Sequence, residues 1–232
     1  MSSITLSVVG AGETTVDIRH VLNGGYAGRD TAAVQHHIDE LARLGVPAPS
    51  TAPTMYPLAA MLATQTTVVD APHDKTSGEA EWALIVPEDA DSPEDYLLAA
   101  ACDHTDRALE VHGVAWSKQS APNIIGDLAW RWGDVREDFD QFSLKAWVTS
   151  EERGKQLLQS GTAGDLLSPA YWIERLGDAG LLRPCTLLMS GTIGMVEDVS
   201  QFAPEWLVEL SDGKGNTSRV NYSLNRLSDP WE

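Results

Sequence analysis

The sequence has few cysteines, few basic residues and no long apolar run, and each shortage excludes a class of protein. Cys102 and Cys185 are the only cysteines among 232 residues, too few for a disulfide framework and without the spacing of a zinc site. No apolar run approaches the ~18–20 residues of a membrane span. The first ten residues lack the basic flank and long apolar core of a secretory signal. We therefore expect a cytoplasmic protein without a membrane segment.

The shortage of basic residues also excludes a class of partner. Sixteen Lys and Arg stand against 34 Asp and Glu, which gives a formal net charge of −18. Binding of DNA or RNA by counter-ion release requires a basic surface, so we expect no nucleic-acid partner. The acidity itself mainly favours solubility. If the substrate is an anion, a metal ion or a pocket lysine or arginine must offset this global field.

The pattern of apolar residues predicts one α+β domain over 1–232, strand-rich and with few helices. It has no repeats and no linker that would separate two domains. Strands are predicted at 4–9 and 14–18 as an N-terminal hairpin, at 79–86, 96–102, 143–149 and 185–191, and at 206–210 and 219–224 as a C-terminal hairpin. Helices are predicted at 30–44, 150–158 and 167–179, with a glycine-rich connector at 23–28 and a loop with short elements at 120–140.

Glu79 and Glu81 form the first candidate site. On a strand, residues i and i+2 point to one face, roughly 6–7 Å apart. Burying two carboxylates together is costly unless a cation neutralises them, and a hard divalent ion with oxygen ligands does this. A solvent-exposed strand face is the alternative, but Trp82 and Leu84 follow directly and indicate that this strand enters a core.

Asp103 closes an apolar strand and would supply a third oxygen ligand. Three carboxylates leave about three octahedral positions for water and substrate, an arrangement common for Mg²⁺ or Mn²⁺. His104 follows directly, and for it a structural hydrogen bond is favoured over metal binding.

Three further motifs carry groups suited to catalysis or binding. On the predicted helix, Glu40 lies three residues after His37 and can orient it as a general base, whereas His36 has Asp39 at that spacing. Lys118 is one of only five lysines and could bind a carboxylate, although a surface lysine is the alternative. Gly191-Thr192 would present a hydroxyl and an N–H at a strand end.

Taken in order, these motifs resemble the fumarylacetoacetate hydrolase-like superfamily. That family has a histidine with a glutamate three residues later on a lid helix, a Glu-x-Glu pair, an Asp-Val-Thr-Ala-Arg element, a lysine and a late Gly-Thr-Pro turn. The matching positions here are His37 and Glu40, Glu79 and Glu81, Asp-His-Thr-Asp-Arg at 103–107, Lys118, and Gly191-Thr192. In detail, these motifs look closer to a branch of the superfamily catalogued as a domain of unknown function than to its well-studied enzymes.

The resemblance implies a fold and an organisation. The fold would be a strand-rich mixed β-roll of the fumarylacetoacetate hydrolase C-terminal-domain type, with a lid helix around 30–44, in a homodimer. Within the single domain, 1–28 would be an N-terminal hairpin region, 29–57 the lid helix and loop, and 58–232 the catalytic β-roll. Asp106 stands where the family has alanine, which adds a negative charge near the site.

The resemblance also implies a mechanism. The metal ligands for Mg²⁺ or Mn²⁺ would be Glu79, Glu81 and Asp103. The catalytic groups would be His37, Glu40 and Lys118, and the residues in contact with the substrate Arg107, Gln119 and Thr192. We expect a metal-dependent hydrolase that cleaves a carbon–carbon bond of a small, anionic 2-oxo acid or 1,3-dicarbonyl compound. The alternatives are decarboxylation, dehydration, tautomerisation or C–N and C–O hydrolysis at the same site, or a non-catalytic metal-binding protein.

Overall fold

The computed structural model describes residues 2–228, and strands dominate it. Residues 2–228 form sixteen strands and four α-helices. The strands are β1 (Ser2–Val8), β2 (Gly12–Ile18), β3 (His20–Gly25), β4 (Thr54–Leu58), β5 (Ala63–Thr64), β6 (Val68–Ala71), β7 (Thr76–Ser77), β8 (Ala80–Ile85), β9 (Leu97–Asp103), β10 (Thr105–Asp106), β11 (Asn123–Arg131), β12 (Ser143–Ser150), β13 (Gly154–Thr162), β14 (Thr186–Met189), β15 (Glu205–Ser211) and β16 (Thr217–Arg226). The helices are α1 (Thr31–Arg43), α2 (Val114–Gln119), α3 (Trp132–Val135) and α4 (Pro169–Asp178).

A nine-stranded mixed sheet forms the main body of the molecule. Its strand order is β2-β1-β11-β9-β8-β14-β3-β4, and β5 also pairs with β11. This sheet curls into a half-barrel, and inward-facing side chains from all nine of its strands meet in one apolar cluster. Small residues such as Ala83, Ala99 and Ala101 line the inside of the curl, where space is limited.

A second, five-stranded sheet packs on the outer face of the first. Its order is β13-β12-β15-β16-β6, and β7 and β10 form a small separate ladder. The larger core lies between the two sheets, where Trp82 of β8 packs near Trp206 of β15, and Phe139 meets Trp82 edge to face at 5.7 Å between ring centroids. The alternation of each strand therefore divides the protein into two cores, one inside the curl and one between the sheets.

Several predicted elements are confirmed. The N-terminal hairpin is β1–β2, the C-terminal hairpin is β15–β16, and the helix predicted at 30–44 is α1 with Asp30 as its N-cap, whose side chain accepts from the N–H groups of Ala32 and Ala33. The strand-rich α+β class is also confirmed. No helix in residues 2–228 is long and apolar enough to cross a membrane.

Three local predictions are wrong. Residues 150–158, predicted as a helix, form a hairpin turn and the start of β13. Pairing with β12 overrides the helix propensity of this segment, and Gly154 takes the positive φ of +63° at the turn. The stretch 120–140, predicted as a loop with short elements, contains the nine-residue strand β11. A bulge between Ile125 and Ala129 interrupts the alternation of buried and exposed residues in this strand. The connector at 23–28 begins as the end of β3.

Candidate active site

Three carboxylates converge at one end of the curled sheet. Glu79 directly precedes β8, Glu81 lies within it, and Asp103 ends β9, and one oxygen from each lies within 4.8 Å of the others. The backbone N–H of Asp103 donates to the carbonyl of Glu79 at 3.1 Å, which brings the two strand ends together. Glu81 and Asp103 are fully buried, and 12% of the Glu79 side chain is exposed. The structure thus brings together the three predicted ligands.

Strand alternation explains why these acids face the inside of the curl. Glu81 shares its side of β8 with Ala83 and Ile85, and Asp103 shares its side of β9 with Ala101, all members of the inner apolar cluster. The acids therefore close one end of an apolar interior.

Two asparagines that sequence reasoning missed lie beside Asp103. The Asn23 amide donates to Asp103 Oδ2 at 3.0 Å and to Asn123 Oδ1 at 3.2 Å. Asn123 pairs with Asp103 in the β11–β9 register. An asparagine within an apolar strand, as in His20–Gly25, is the one sequence signal that could have pointed to Asn23, because buried amides require partners.

A glycine turn holds Glu81. The backbone N–H of Gly191 donates to Glu81 Oε2 at 2.9 Å. Gly191 has φ +84°, and a Cβ there would lie 3.1 Å from both the Ala27 Cβ and the Gly24 carbonyl oxygen. Glycine at this position therefore permits the turn and the close approach together.

Two cations bridge the carboxylates. Lys118, buried on α2, donates to Glu79 Oε2 at 2.9 Å and also to Asp103 Oδ2. Arg107 pairs with Glu79 Oε1 at 2.9 Å and with Glu110 Oε1 at 2.7 Å, and its Nε donates to Ser77 at 2.7 Å. The alternative of a surface lysine at 118 is wrong, because only 6% of this side chain is exposed.

The cluster contains more negative than positive charge. Its ionisable groups are four carboxylates and two cations, a formal excess of two negative charges: Glu79, Glu81, Asp103 and Glu110 against Arg107 and Lys118. Burial raises the pKa of Glu81 well above its usual range, and the neighbouring Asp103 and Glu79 act in the same direction while Lys118 opposes them. Burial also acts to raise the pKa of Glu79, but Lys118 and Arg107 outweigh it and hold that pKa at about 2.

The chemistry of the donor set fits a hard divalent ion. Three buried acceptor atoms of this site have no hydrogen-bond partner among the described residues: Glu81 Oε1, Asp103 Oδ1 and Asn23 Oδ1. Unpaired buried oxygens are costly, and Mg²⁺ takes oxygen ligands of this type. A divalent ion would also match the excess of two negative charges.

The predicted histidine dyad lies on the exposed helix α1. Glu40 lies between two histidines: its oxygens are 3.9 Å from His37 Nδ1 and 3.7 Å from His36 Nδ1. His37 is 60% exposed, and its ring lies 6.3 Å from that of Tyr26. The i+3 spacing therefore does not distinguish the two histidines, and contact with Tyr26 is what relates His37 to the site.

The residues expected to contact substrate have partners within the fold. Thr192 Oγ1 donates to the carbonyl of Ala80 at 2.8 Å and accepts from Gln159 at 2.8 Å. Gln119 is exposed and accepts from the backbone N–H of Ala59 at 3.1 Å, which ties α2 to the end of β4. Their predicted contacts with substrate, like that of Arg107, stay predictions.

The two neighbours of Asp103 that carried open questions both have structural partners. His104 points to the other face of β9, where its Nδ1 lies 2.9 Å from the Tyr222 hydroxyl, and burial lowers its pKa to about 4. Asp106 Oδ1 accepts from the N–H groups of Ala108 and Leu109, and its Oδ2 lies 3.0 Å from His73 Nε2. The extra charge of Asp106 is therefore used in a turn.

Two tyrosines at the site also escaped sequence reasoning. Tyr26 follows β3 with φ +54°, and Tyr56 lies opposite Asn23 in the β3–β4 register. Burial raises the pKa of Tyr26 to about 12, and Glu110 contributes in the same direction while Lys118 opposes it. Both phenols are half-buried and within electrostatic reach of Lys118 and Glu79.

Comparison with known proteins places this site in a family. A family model described as "Protein of unknown function (DUF2848)" matches residues 24–222, most of the chain. The chain belongs to this family. DUF2848 membership agrees with the predicted branch of unknown function, and a search of curated proteins finds no match.

Solved structures show the fold that this DUF2848 protein shares. Cg1458 with inhibitor has a TM-score of 0.64 at 16% identity, over 93% of this chain and 81% of that chain. The 2-keto-3-deoxy-D-arabinonate dehydratase complexed with magnesium and 2,5-dioxopentanoate has a TM-score of 0.63 at 14% identity, over 94% and 78%. A hexagonal crystal form of the 2-keto-3-deoxyarabinonate dehydratase has a TM-score of 0.65 at 13% identity, over 94% and 78%. The chain thus shares its fold with Cg1458 and with this dehydratase.

Proposed function

We propose that this protein is a Mg²⁺-dependent enzyme that eliminates water from a small 2-oxo acid. The observation that carries the proposal is the cluster of Glu79, Glu81 and Asp103, three buried carboxylates with one oxygen each within 4.8 Å of the others. Two of their oxygens have no hydrogen-bond partner within residues 2–228. Bound there, Mg²⁺ would act as a Lewis acid that polarises the carbonyl and stabilises the negative charge left when the adjacent carbon loses a proton. Mn²⁺ accepts the same ligands and is the second candidate ion.

Lys118 and His37 supply the proton transfers in this proposal. Lys118 lies against Asp103 and Glu79, which raise its pKa well above the usual value against the opposing effect of burial. It is therefore protonated before the reaction, and it gives up this proton only as the leaving hydroxyl gains negative charge. His37, held near Glu40, takes the proton from the carbon beside the carbonyl. Asn23 and Gly191 orient Asp103 and Glu81 by their hydrogen bonds.

The observations support dehydration better than the hydrolysis that the resemblance implies. One structural neighbour is a dehydratase complexed with magnesium and 2,5-dioxopentanoate, although at 14% identity this likeness shows the fold alone. Glu40 is shared between two exposed histidines, so His37 has no carboxylate partner of its own that would orient it to activate a water. Hydrolysis of a carbon–carbon bond remains the second candidate, favoured by the 3.9 Å approach of Glu40 to His37. The anionic small-molecule substrate and the homodimer also stay proposals.

Proton exchange at the carbon next to the carbonyl tests the shared step. The chelator-treated protein is incubated with 2-oxobutyrate in D₂O, with and without Mg²⁺, and the C3 proton signals are followed by NMR. We expect exchange only with Mg²⁺, and water loss when 3-deoxy-2-oxo sugar acids replace 2-oxobutyrate. Carbon–carbon cleavage of acylpyruvates without any water loss would favour hydrolysis instead. Absence of metal-dependent exchange with every 2-oxo acid tried would overturn the proposal.

A further inference from the structure

The cations of the candidate active site are all committed to partners within the described chain. Arg107 gives Nη2 to Glu79, Nη1 to Glu110 and Nε to Ser77, at 2.7–2.9 Å. This use of three nitrogens fixes the planar guanidinium fork, and only 14% of the side chain is exposed. The positive charge of Arg107 is therefore already shared between two carboxylates of the protein, Glu79 and Glu110, before a substrate binds.

Lys118 is the second cation of the site, and it lies beside the proposed metal position, where the 2-oxo end of the substrate would bind. Its ammonium contacts Glu79 and Asp103, two of the proposed metal ligands. A carboxylate next to a 2-oxo group would lie at this end, beside the metal position and Lys118. A second carboxylate at the far end of a substrate has no remaining cation in the cluster to neutralise it.

The groups beyond Lys118 are one carboxylate and two phenols. Glu110 is a carboxylate whose side chain is 13% exposed. It pairs with Arg107, which also pairs with Glu79. Tyr26 and Tyr56 are both within electrostatic reach of Glu110 and Lys118. Burial raises the pKa of each phenol, so each keeps its proton and can donate a hydrogen bond.

The positions of the two phenols place them at the site rather than elsewhere on the surface. Tyr56 lies opposite Asn23, and paired residues of an antiparallel ladder point to the same face. Gly25 makes room for this ring, since a Cβ there would lie 2.8 Å from Tyr56 Cε2. Tyr26 lies between β3 and His37 of α1, at 6.3 Å from the His37 ring.

We propose that the substrate carries a single carboxylate, next to its 2-oxo group, and an uncharged hydroxyl-, carbonyl- or amide-bearing tail that hydrogen-bonds to Tyr26 and Tyr56. The inference rests on the proposed function and narrows its substrate class. Dicarboxylic 2-oxo acids are excluded, because Glu110 repels a second carboxylate and a chain of net charge −18 does not attract a dianion. Tyr26 and Tyr56 are thereby specificity-determining residues.

A pair of ligands that differ only in tail charge tests the proposal. 2-Oxoglutarate has a carboxylate tail and 2-oxoglutaramate the isosteric neutral amide. Calorimetric titrations into the full chain with saturating Mg²⁺ give their dissociation constants, and oxalate, which has no tail, is measured beside them. We expect the amide to bind at least tenfold more tightly than the dicarboxylate. Equal or tighter binding of 2-oxoglutarate would overturn the proposal.

Variants identify the residues responsible. Tyr26→Phe and Tyr56→Phe each weaken 2-oxoglutaramate about three- to tenfold and leave oxalate unchanged. Glu110→Gln reduces the difference in affinity between 2-oxoglutaramate and 2-oxoglutarate, because it removes the repulsion of the second carboxylate and frees one nitrogen of Arg107. Glu209→Gln, which alters a Glu–Arg pair of the second sheet, serves as the matched control and leaves all three ligands unchanged.

Oxalate separates the two levels of the argument. If oxalate binds with Mg²⁺ but neither the ligand pair nor the tyrosine variants discriminate by tail, the single-carboxylate proposal fails and the proposed function stands. If oxalate does not bind even with Mg²⁺, the proposed function fails, and the inference about the tail fails with it.

Discussion

Asn23 donates a hydrogen bond of 3.0 Å to Asp103, although 80 residues separate them along the chain. The same amide also donates to Asn123, so it fixes the orientation of Asp103 relative to a third strand. Orientation by such second partners commonly changes metal affinity, because the ligand otherwise samples other rotamers.

Asn23→Ala is expected to weaken Mn²⁺ binding about 10- to 100-fold. It should also lower the free energy of unfolding by about 1–3 kcal/mol, since Asp103 and Asn123 lose a buried partner. Titration calorimetry and urea unfolding measure the two effects. The matched control is Asn225→Ala, which removes an exposed amide bonded to Asp70 and should change neither. Unchanged metal affinity in Asn23→Ala would contradict the orienting role.

Lys118→Met tests the lysine as the counter-ion of the metal-free site. Removal of one partner of a buried ion pair costs about 3–5 kcal/mol, because the carboxylates are left uncompensated. We expect the metal-free variant to unfold at a lower urea concentration, and Mg²⁺ to stabilise it more than it stabilises the unmodified protein. Lys145→Met, at a half-buried lysine of β12, is the control. An equal Mg²⁺ effect in both proteins would show that Lys118 does not balance these carboxylates.

His37→Ala is compared with His36→Ala to test the general base. The two histidines are adjacent, similarly exposed and both near Glu40, but only His37 packs with Tyr26. We expect His37→Ala to keep its metal and to lose roughly 10²–10⁴-fold in the rate of Mg²⁺-dependent C3 proton exchange. His36→Ala should stay close to the unmodified rate, and a similar loss in both variants would remove the assignment.

Arg29 and Asp140 give a pH-dependent contribution at the start of α1. The guanidinium donates to both oxygens of Asp140 at 2.7 and 3.0 Å, and this hydrogen bonding lowers the pKa of Asp140 against burial. A carboxyl whose pKa is lower in the folded than in the unfolded protein stabilises the fold at pH values above its unfolded-state pKa. This stabilisation is lost as the pH falls through the folded-state pKa.

Arg29→Met should therefore lower the free energy of unfolding by about 0.5–1 kcal/mol at neutral pH, a small value because both side chains are nearly half exposed. The difference should begin to shrink as the pH falls through the ordinary carboxyl pKa of about 3.9, and it should vanish only below the lowered pKa of Asp140 in the folded protein. Urea unfolding of both proteins at several pH values measures it. A difference that persists undiminished at low pH would assign the effect of Arg29 to packing instead.

The acidic cluster could be predicted because its information is local. Glu79 and Glu81 are two residues apart, so strand alternation places them on one face, and Asp103 ends the next apolar strand of the chain. Asn23, Tyr56 and Glu110 carry no comparable local signal. Their places depend on the pairing of β3 with β14 and β4 and on the ion pair with Arg107, which are contacts between distant segments.

The errors in secondary structure have the same origin. Ser150–Leu158 has a capping serine and helix-forming residues, yet pairing of β13 with β12 determines its conformation. In β11, Gly126 packs against the Ser218 hydroxyl and the backbone of Arg219 in the second sheet, so this strand cannot show regular alternation. Tertiary contacts decide both segments.

Binding of a divalent ion to Glu79, Glu81 and Asp103 is the central claim, and a calorimetric titration of Mn²⁺ into chelator-treated protein tests it most directly. The unmodified protein and Glu81→Gln are compared, since the amide preserves side-chain volume within the buried site. We expect one ion per chain in the unmodified protein, and binding weakened at least 100-fold in Glu81→Gln while its circular dichroism stays native. Equal binding by the two proteins, or none by the unmodified protein at millimolar Mn²⁺ and Mg²⁺, would contradict the account.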